Sequence, residues 1–225
     1  MPPSLAICHK ICRTLREDSV TSLFPMFIKL AGRQILVVGA GKVGEPKISG
    51  LLDTGARIRV VSLTASPAVR EWARAGKIEL ELRPFKTEDL DGTFMAIVAT
   101  SSRTLNERVF DEAQRRGVLC NVVDVPDLCD FFYPSVVRRG DLQIAVSTAG
   151  NSPSLAQKIR QQLEKQFGPG YAEWVKKLGE TRKLILSSDL DKERKLDLLH
   201  SLASREAVES ALAEMPELVT KGEER

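Results

Sequence analysis

A chain of 225 residues with 43% apolar side chains is long enough for one sizeable core and an appendage, or for two small domains. Its 33 basic and 30 acidic side chains leave a net charge of +3, which excludes the broad positive field of a nonspecific nucleic-acid binder. No apolar run approaches the roughly 18 residues needed to span a bilayer, and residues 1–22 carry charges without the apolar core of a secretory signal, so a soluble cytoplasmic protein is expected. The cysteines at 8, 12, 120 and 129 lack C-x-x-C pairing, and Cys8, His9 and Cys12 have no further strong ligands beside them, so no metal site is expected and residues 1–22 read as a loose extension.

From Ile35 to Asp124 short apolar runs alternate with amphipathic stretches, the pattern of β-α-β units in a parallel sheet. Strands are predicted at 34–39, 57–62, 77–82, 93–99 and 118–123. A helix over 43–54 ends at Gly55, and Pro46 is tolerated in its first turn, where amides lack intrahelical acceptors. Ser66 and Pro67 read as N-cap and first position of the second helix, which stops before Gly76. Thr104-Leu105-Asn106-Glu107 has capping-box spacing and opens the helix that Gly117 ends. Five strands and three crossover helices make a Rossmann-type α/β domain. Beyond Asp124, 133–140 and 142–147 read as two strands outside the doubly wound repeat. From Pro153 the pattern is helical, broken at Gly168-Pro169-Gly170 and near Ser187-Ser188, with 189–214 as a surface helical hairpin.

Directly behind the first strand stands Gly39-Ala40-Gly41-Lys42-Val43-Gly44, a G-x-G-x-x-G turn leading into a helix. Such a turn lets backbone amides approach a pyrophosphate, which predicts a bound dinucleotide. The second strand ends Ser62-Leu63-Thr64 with no carboxylate; Ser62 or Thr64 is placed for a neutral bond to the ribose, Arg57 and Arg59 flank it, and NAD is favoured over NADP. Thr100, with Ser101 and Ser102, ends the fourth strand, where it either lines the nicotinamide pocket or caps the next helix. Asp124 follows Asn121-Val122-Val123 at the end of the fifth strand. Its position alone fits a loop cap ahead of Pro126 or a general base beside a hydride acceptor.

Phe24-Pro25-Met26-Phe27, the glycine turn with Lys47, Gly55-Ala56, Asn121-Val122-Val123-Asp124, Tyr133-Pro134-Ser135 and Val146-Ser147-Thr148-Ala149-Gly150-Asn151-Ser152-Pro153 together resemble the precorrin-2 dehydrogenase/sirohydrochlorin ferrochelatase family of sirohaem synthesis. The resemblance runs over about 24–165 and is loose in the helical tail. It implies an NAD-binding domain at 23–133, a dimerisation element at 134–165, a helical region at 166–225, and a homodimer. Lys42, Val43, Leu63 and Thr64 match positions that contact NAD, beside the turn glycines Gly39, Gly41 and Gly44, and Asp124 matches the catalytic aspartate.

The implied substrates are the tetrapyrroles precorrin-2 and sirohydrochlorin, with Fe(II) insertion an additional activity of some relatives; the methyltransferase module fused to others does not fit in this length. Asn121, Ser147, Thr148, Asn151 and Ser152 are the candidate substrate contacts, and the 147–153 turn offers amides at a helix start for a carboxylate. Arg138, Arg139, Lys158 and Arg160 are further candidates for substrate carboxylates or ordinary solvated charges. Thr148 replaces a serine phosphorylated in some relatives, Pro46 stands where arginine is common, and Ala149 where glycine is usual. The competing function is a non-catalytic NAD(H)-sensing Rossmann domain; such domains usually keep the acidic residue after the second strand that is missing here.

Overall fold

The computed structural model describes residues 23–204 and 206–207, so the 1–22 extension with Cys8, His9 and Cys12, and the end of the helical region, lie outside the described residues. Two compact units divide between Phe132 and Tyr133.

The first unit carries β1 (Gln34–Ala40), β2 (Arg57–Ala65), β3 (Glu79–Leu82), β4 (Met95–Val98) and β5 (Leu119–Val122), with helices α1 (Gly44–Ser49), α2 (Pro67–Arg74) and α3 (Arg103–Arg115). All five strands pair in parallel in the order β3-β2-β1-β4-β5. The period of two in β1 sends Ile35 and Val37 to one face and Leu36 and Val38 to the other. Ile48 and Val69, from α1 and α2, cover the first face, while Val109 and Ala113 of α3 cover the second. A sheet buried on both sides explains why β1 is an unbroken apolar run rather than an alternating one.

The expected Rossmann architecture is present, with local differences. The predicted 43–54 helix divides into α1 and a 3-10 turn at Leu52–Thr54. Gly50, a poor helix former, donates to the Pro46 carbonyl at 3.1 Å, and Leu51 donates to that of Ile48 at 2.9 Å, so the chain tightens before Gly55 turns it with φ 71°. Ser66 caps α2 as expected, its hydroxyl accepting from the Val69 amide at 3.3 Å. The cap of α3 is Ser102, accepting from the Leu105 amide at 3.4 Å; Thr104 lies inside the first turn instead of opening the helix.

An ion network pins the β3 edge. Arg83 donates to both Asp89 oxygens at 2.6 and 2.8 Å and to Glu81 at 2.8 Å, Arg59 donates to Glu81 at 2.8 Å, and the Lys86 amide donates to Asp89 at 2.8 Å. Burial of Asp89, which is 4% exposed, opposes its ionisation, but the Arg83 and Lys86 hydrogen bonds outweigh it and hold its pKa below the ordinary value. A carboxylate with a depressed folded pKa contributes stability that is present above its unfolded pKa of about 4 and is lost as pH falls through the lower folded value. Asp89→Asn is therefore expected to cost about 2–3 kcal/mol at neutral pH and to flatten the acid limb of the stability profile, read by urea melts across pH. An unchanged acid limb would contradict this.

In the second unit β6 (Ser135–Arg139) and β7 (Leu142–Val146) form an antiparallel hairpin, followed by α4 (Pro153–Gln166), α5 (Tyr171–Ser187) and α6 (Lys192–Leu202). Gly140 turns the hairpin with φ 58°, and a Cβ there would press on Ala172. The helical breaks fall where Gly168-Pro169-Gly170 and Ser187-Ser188 predict them. Val137 and Ala156 are the buried apolar side chains among the unit's described residues, while Leu155, Leu184, Leu186, Leu190 and Leu196 are exposed. No described helix is long and apolar enough to cross a membrane.

Candidate functional site

The carboxyl ends of β2, β1, β4 and β5 form one edge of the sheet, and the candidate cofactor residues and Asp124 all lie along it. Each glycine of the turn answers a different demand. Gly39 has φ 104°, and a Cβ on it would overlap the Ala99 carbonyl at the end of β4. On Gly44 a Cβ would overlap the Gly39 carbonyl, so α1 starts this close to β1 only because Gly44 has no side chain. Gly41 faces open space, with nothing within 4 Å of where its Cβ would be. The Gly41 carbonyl accepts from the Glu45 amide at 2.9 Å, whereas the Gly41 and Lys42 amides have no acceptor among the described residues. An open approach lined by unspent amides fits a dinucleotide pyrophosphate.

At the end of β2, Ser62 accepts from the Ala40 amide at 3.2 Å and donates to the Thr64 carbonyl at 2.7 Å. Its hydrogen is thus spent inside the protein, and Ser62 braces the turn against β2 instead of offering a donor to a ribose. Thr64 remains exposed, and Val43 and Leu63 stand 47% and 72% exposed beside the turn, large apolar groups left for a ligand to cover. At the end of β4, Thr100 donates to the Asn106 side-chain oxygen at 2.6 Å.

Asp124 follows β5 with φ 64°, a left-handed conformation that costs a non-glycine residue about 1 kcal/mol and that aspartate tolerates better than most. Its side chain is exposed and makes no hydrogen bond or ion pair among the described residues. The loop that holds it is closed at its base. The Val123 amide donates to Val98 at 2.9 Å, Asp130 exchanges bonds with the Cys120 backbone at 2.7 and 2.8 Å, and Gln114 donates to Asp130 at 2.8 Å.

Asn121 is placed differently from its expected role as a substrate contact. It is buried, and its amide donates to the Phe131 carbonyl at 2.7 Å and toward the Cys129 sulfur at 3.3 Å, tying β5 to the returning chain. Burial pushes the Cys120 thiol up to about 12, with nearby Asp130 adding to the shift, so Cys120 stays protonated and inert at neutral pH.

Within the second unit, the turn ahead of α4 is self-bonded. Ser147 accepts from the Ala149 amide at 3.1 Å, Thr148 from the Ser152 amide at 3.1 Å, and Ser152 from the Leu155 amide at 3.3 Å, while the Asn151 side chain donates to the Thr148 carbonyl at 3.0 Å. Ala149, with φ 50°, adopts the left-handed conformation for which glycine is better suited. Two of the four candidate cations are spent: Arg139 caps α4 through the Phe167 carbonyl at 2.8 Å and the Glu164 carbonyl at 3.2 Å, and Arg160 pairs with Glu164. Arg138 and Lys158 remain exposed.

Sequence reasoning missed the brace residues Asn106, which is buried, and Gln114 and Asp130, which are exposed. Their partners stand 6 to 16 positions away, so no local spacing announces them.

A family model described as NAD(P)-binding matches residues 26–135, and one described as sirohaem biosynthesis protein central matches 139–166. The siroheme synthases of Shigella boydii serotype 18 and Salmonella dublin are each 44% identical to this chain over 140 residues, 62% of its length and 31% of theirs. The chain thus spans 31% of the length of these curated relatives. The solved structure of SirC, precorrin-2 dehydrogenase, superimposes with a TM-score of 0.71 at 28% identity, covering 87% of this chain and 100% of that one. With the glycine turn inside the first matched segment and the hairpin and α4 spanning the second, the chain belongs to the precorrin-2 dehydrogenase/sirohydrochlorin ferrochelatase family, the family of the sirohaem synthase N-terminal module.

Proposed function

We propose that this chain oxidises precorrin-2 to sirohydrochlorin with NAD in the cytoplasm, as a step of sirohaem synthesis. The observation that carries the reading is the placement of an uncommitted carboxylate, Asp124, at the end of β5 on the same sheet edge as the open turn at Gly41, with only β4 between their strands. The Gly41 and Lys42 amides hold the pyrophosphate, Val43 and Leu63 cover the adenosine end, and the lack of a β2 carboxylate leaves Thr64 to bond a ribose hydroxyl. NAD, when bound, accepts the hydride that leaves a ring carbon of the macrocycle. The proton that leaves with it passes to the Asp124 carboxylate. Hydride and proton together account for the two hydrogens lost, and the gain in conjugation drives their departure. Alignment supplies most of the rate, and a positioned base contributes about 10²–10⁴-fold.

The braced loop suits Asp124 to this work. Its backbone is fixed by β4 and by the 129–131 return, and its oxygens are free of partners among the described residues, so no bond to these must break before it takes a proton. The same carboxylate is proposed to receive one after the other, releasing each to solvent, the two pyrrole protons displaced when Fe(II), as substrate, enters sirohydrochlorin. In the second unit, Arg138, Lys158 and the hydroxyls of Ser147, Thr148 and Ser152, which accept internal bonds and keep their own hydrogens to donate, are the groups proposed for substrate carboxylates, since the Ala149, Asn151 and Ser152 amides are already spent within the turn.

Incubation with precorrin-2 and NAD is expected to yield sirohydrochlorin by its absorption spectrum together with NADH. NADH binding without turnover would favour the sensor reading. For metal insertion, Fe(II) or Co(II) added to sirohydrochlorin is expected to be incorporated faster with the protein than without it, and equal rates would restrict the chain to oxidation. A homodimer through 134–165 is also proposed. Two buried apolar side chains among the described residues are a thin core for a hairpin and three helices, and a second copy would cover part of what is exposed. Sedimentation is expected to give the mass of two chains, and a single-chain mass would contradict it.

A further inference from the structure

We infer that Thr100 serves the dinucleotide through its methyl group, not its hydroxyl, and that Asn106 is the positioning residue that fixes this orientation. The inference rests on the NAD-binding reading above and deepens it by assigning the β4 wall of the turn.

The Thr100 hydroxyl has its hydrogen spent on the side of α3. It donates to the Asn106 Oδ1 at 2.6 Å and accepts from the Ser102 amide at 3.2 Å. Asn106 returns a bond from Nδ2 to the Thr100 carbonyl at 3.2 Å, so side chain and backbone of one residue are gripped by a single amide. Asn106 itself is 7% exposed, and leaving its oxygen unpaired there would carry a desolvation cost. Threonine has only a few staggered χ1 states, and this clasp selects one.

With the hydroxyl held toward α3, the methyl is left facing the glycine turn. Thr100 Cγ2 lies 3.3 Å from the point a Cβ on Gly39 would occupy, beside the Ala99 carbonyl that forbids any side chain at Gly39. Gly39 therefore has no side chain of its own to hold it, and the Thr100 methyl supplies packing on that flank. The turn gains no hydrogen bond from this contact. What it gains is a fixed position for the amides that follow Gly39, which lowers the ordering cost of binding an anion there.

The hydroxyl and methyl roles separate by substitution. Thr100→Ser keeps the bonds to Asn106 and Ser102 and removes the methyl, and is expected to weaken NADH binding about fivefold, the worth of one packed methyl group. Thr100→Val keeps methyl packing and removes the hydroxyl; it is expected to lower the Tm, because Asn106 loses a partner, while NADH affinity stays within about twofold. Asn106→Leu frees the hydroxyl and is expected to weaken NADH binding, and adding Thr100→Val is expected to restore it, since either valine methyl can face Gly39.

NADH affinity is read by titration calorimetry and stability by thermal melts on the same preparations. The opposite order, affinity lost in Thr100→Val and kept in Thr100→Ser, would overturn the inference, as would equal affinities in both. Failure of the double variant to recover affinity would remove Asn106 as the positioning residue. If the unmodified protein binds no NADH, the NAD reading itself fails; if it binds and the variants rank otherwise than stated, only this inference fails.

Discussion

Asp124→Asn is expected to lower kcat for precorrin-2 oxidation by about 10²–10⁴-fold. Asparagine keeps the size of the side chain and tolerates the φ of 64°, so the loop fold survives and the loss reports on the missing base. NADH affinity should remain within about twofold, because the glycine turn is on β1 and Asp124 on the loop after β5. Asp124→Ala should lose the same activity. The measurement is steady-state oxidation at saturating NAD alongside NADH titration. Undiminished turnover would remove Asp124 from the chemistry and leave its strained backbone without a function.

The glycine turn gives the second large effect, and it separates binding from folding at neighbouring positions. Gly41→Val is expected to fold normally, because its side chain enters open space, and to weaken NADH binding by more than tenfold, because that space is where the pyrophosphate must come. Gly44→Ala acts in the other direction. Its Cβ would overlap the Gly39 carbonyl, a backbone atom that cannot swing away, so a destabilisation of about 3 kcal/mol is expected. Thermal melts and NADH titrations on both variants decide the matter. A Gly41→Val protein with normal affinity would mean that the turn is a plain strand-to-helix corner.

Much of the architecture was legible because it depends on local chemistry. The run at 35–38 reads as a doubly buried strand, and it is one. Gly55, Gly76 and Gly117 each close an element with positive φ, as a sequence reader expects of glycine after a helix or turn. Asp124 could be placed at a strand end from the Asn121-Val122-Val123 run before it, and the structure adds what the sequence does not carry, its left-handed backbone and its lack of partners among the described residues.

The illegible part consists of hydroxyls and amides whose partners are set by tertiary packing. Ser62 looks like a ribose ligand until the Ala40 amide, 22 positions away, is found on its oxygen. Asn121 looks like a site residue until its amide is traced to Phe131. Arg139 looks like an anion anchor until it reaches across to the end of α4. At the start of α3 two capping patterns overlap, and only the bond to Leu105 selects Ser102, one of the hydroxyls read as capping candidates, over Thr104.

The account stands on one coupled event at the carboxyl edge of the sheet, hydride to NAD with a proton to Asp124. Its most direct test is the stoichiometry of a single reaction of the full chain with precorrin-2 and excess NAD. One NADH per precorrin-2 consumed, with sirohydrochlorin as product, is the expected result. Protein that binds NADH yet forms no NADH in the presence of precorrin-2 would contradict it.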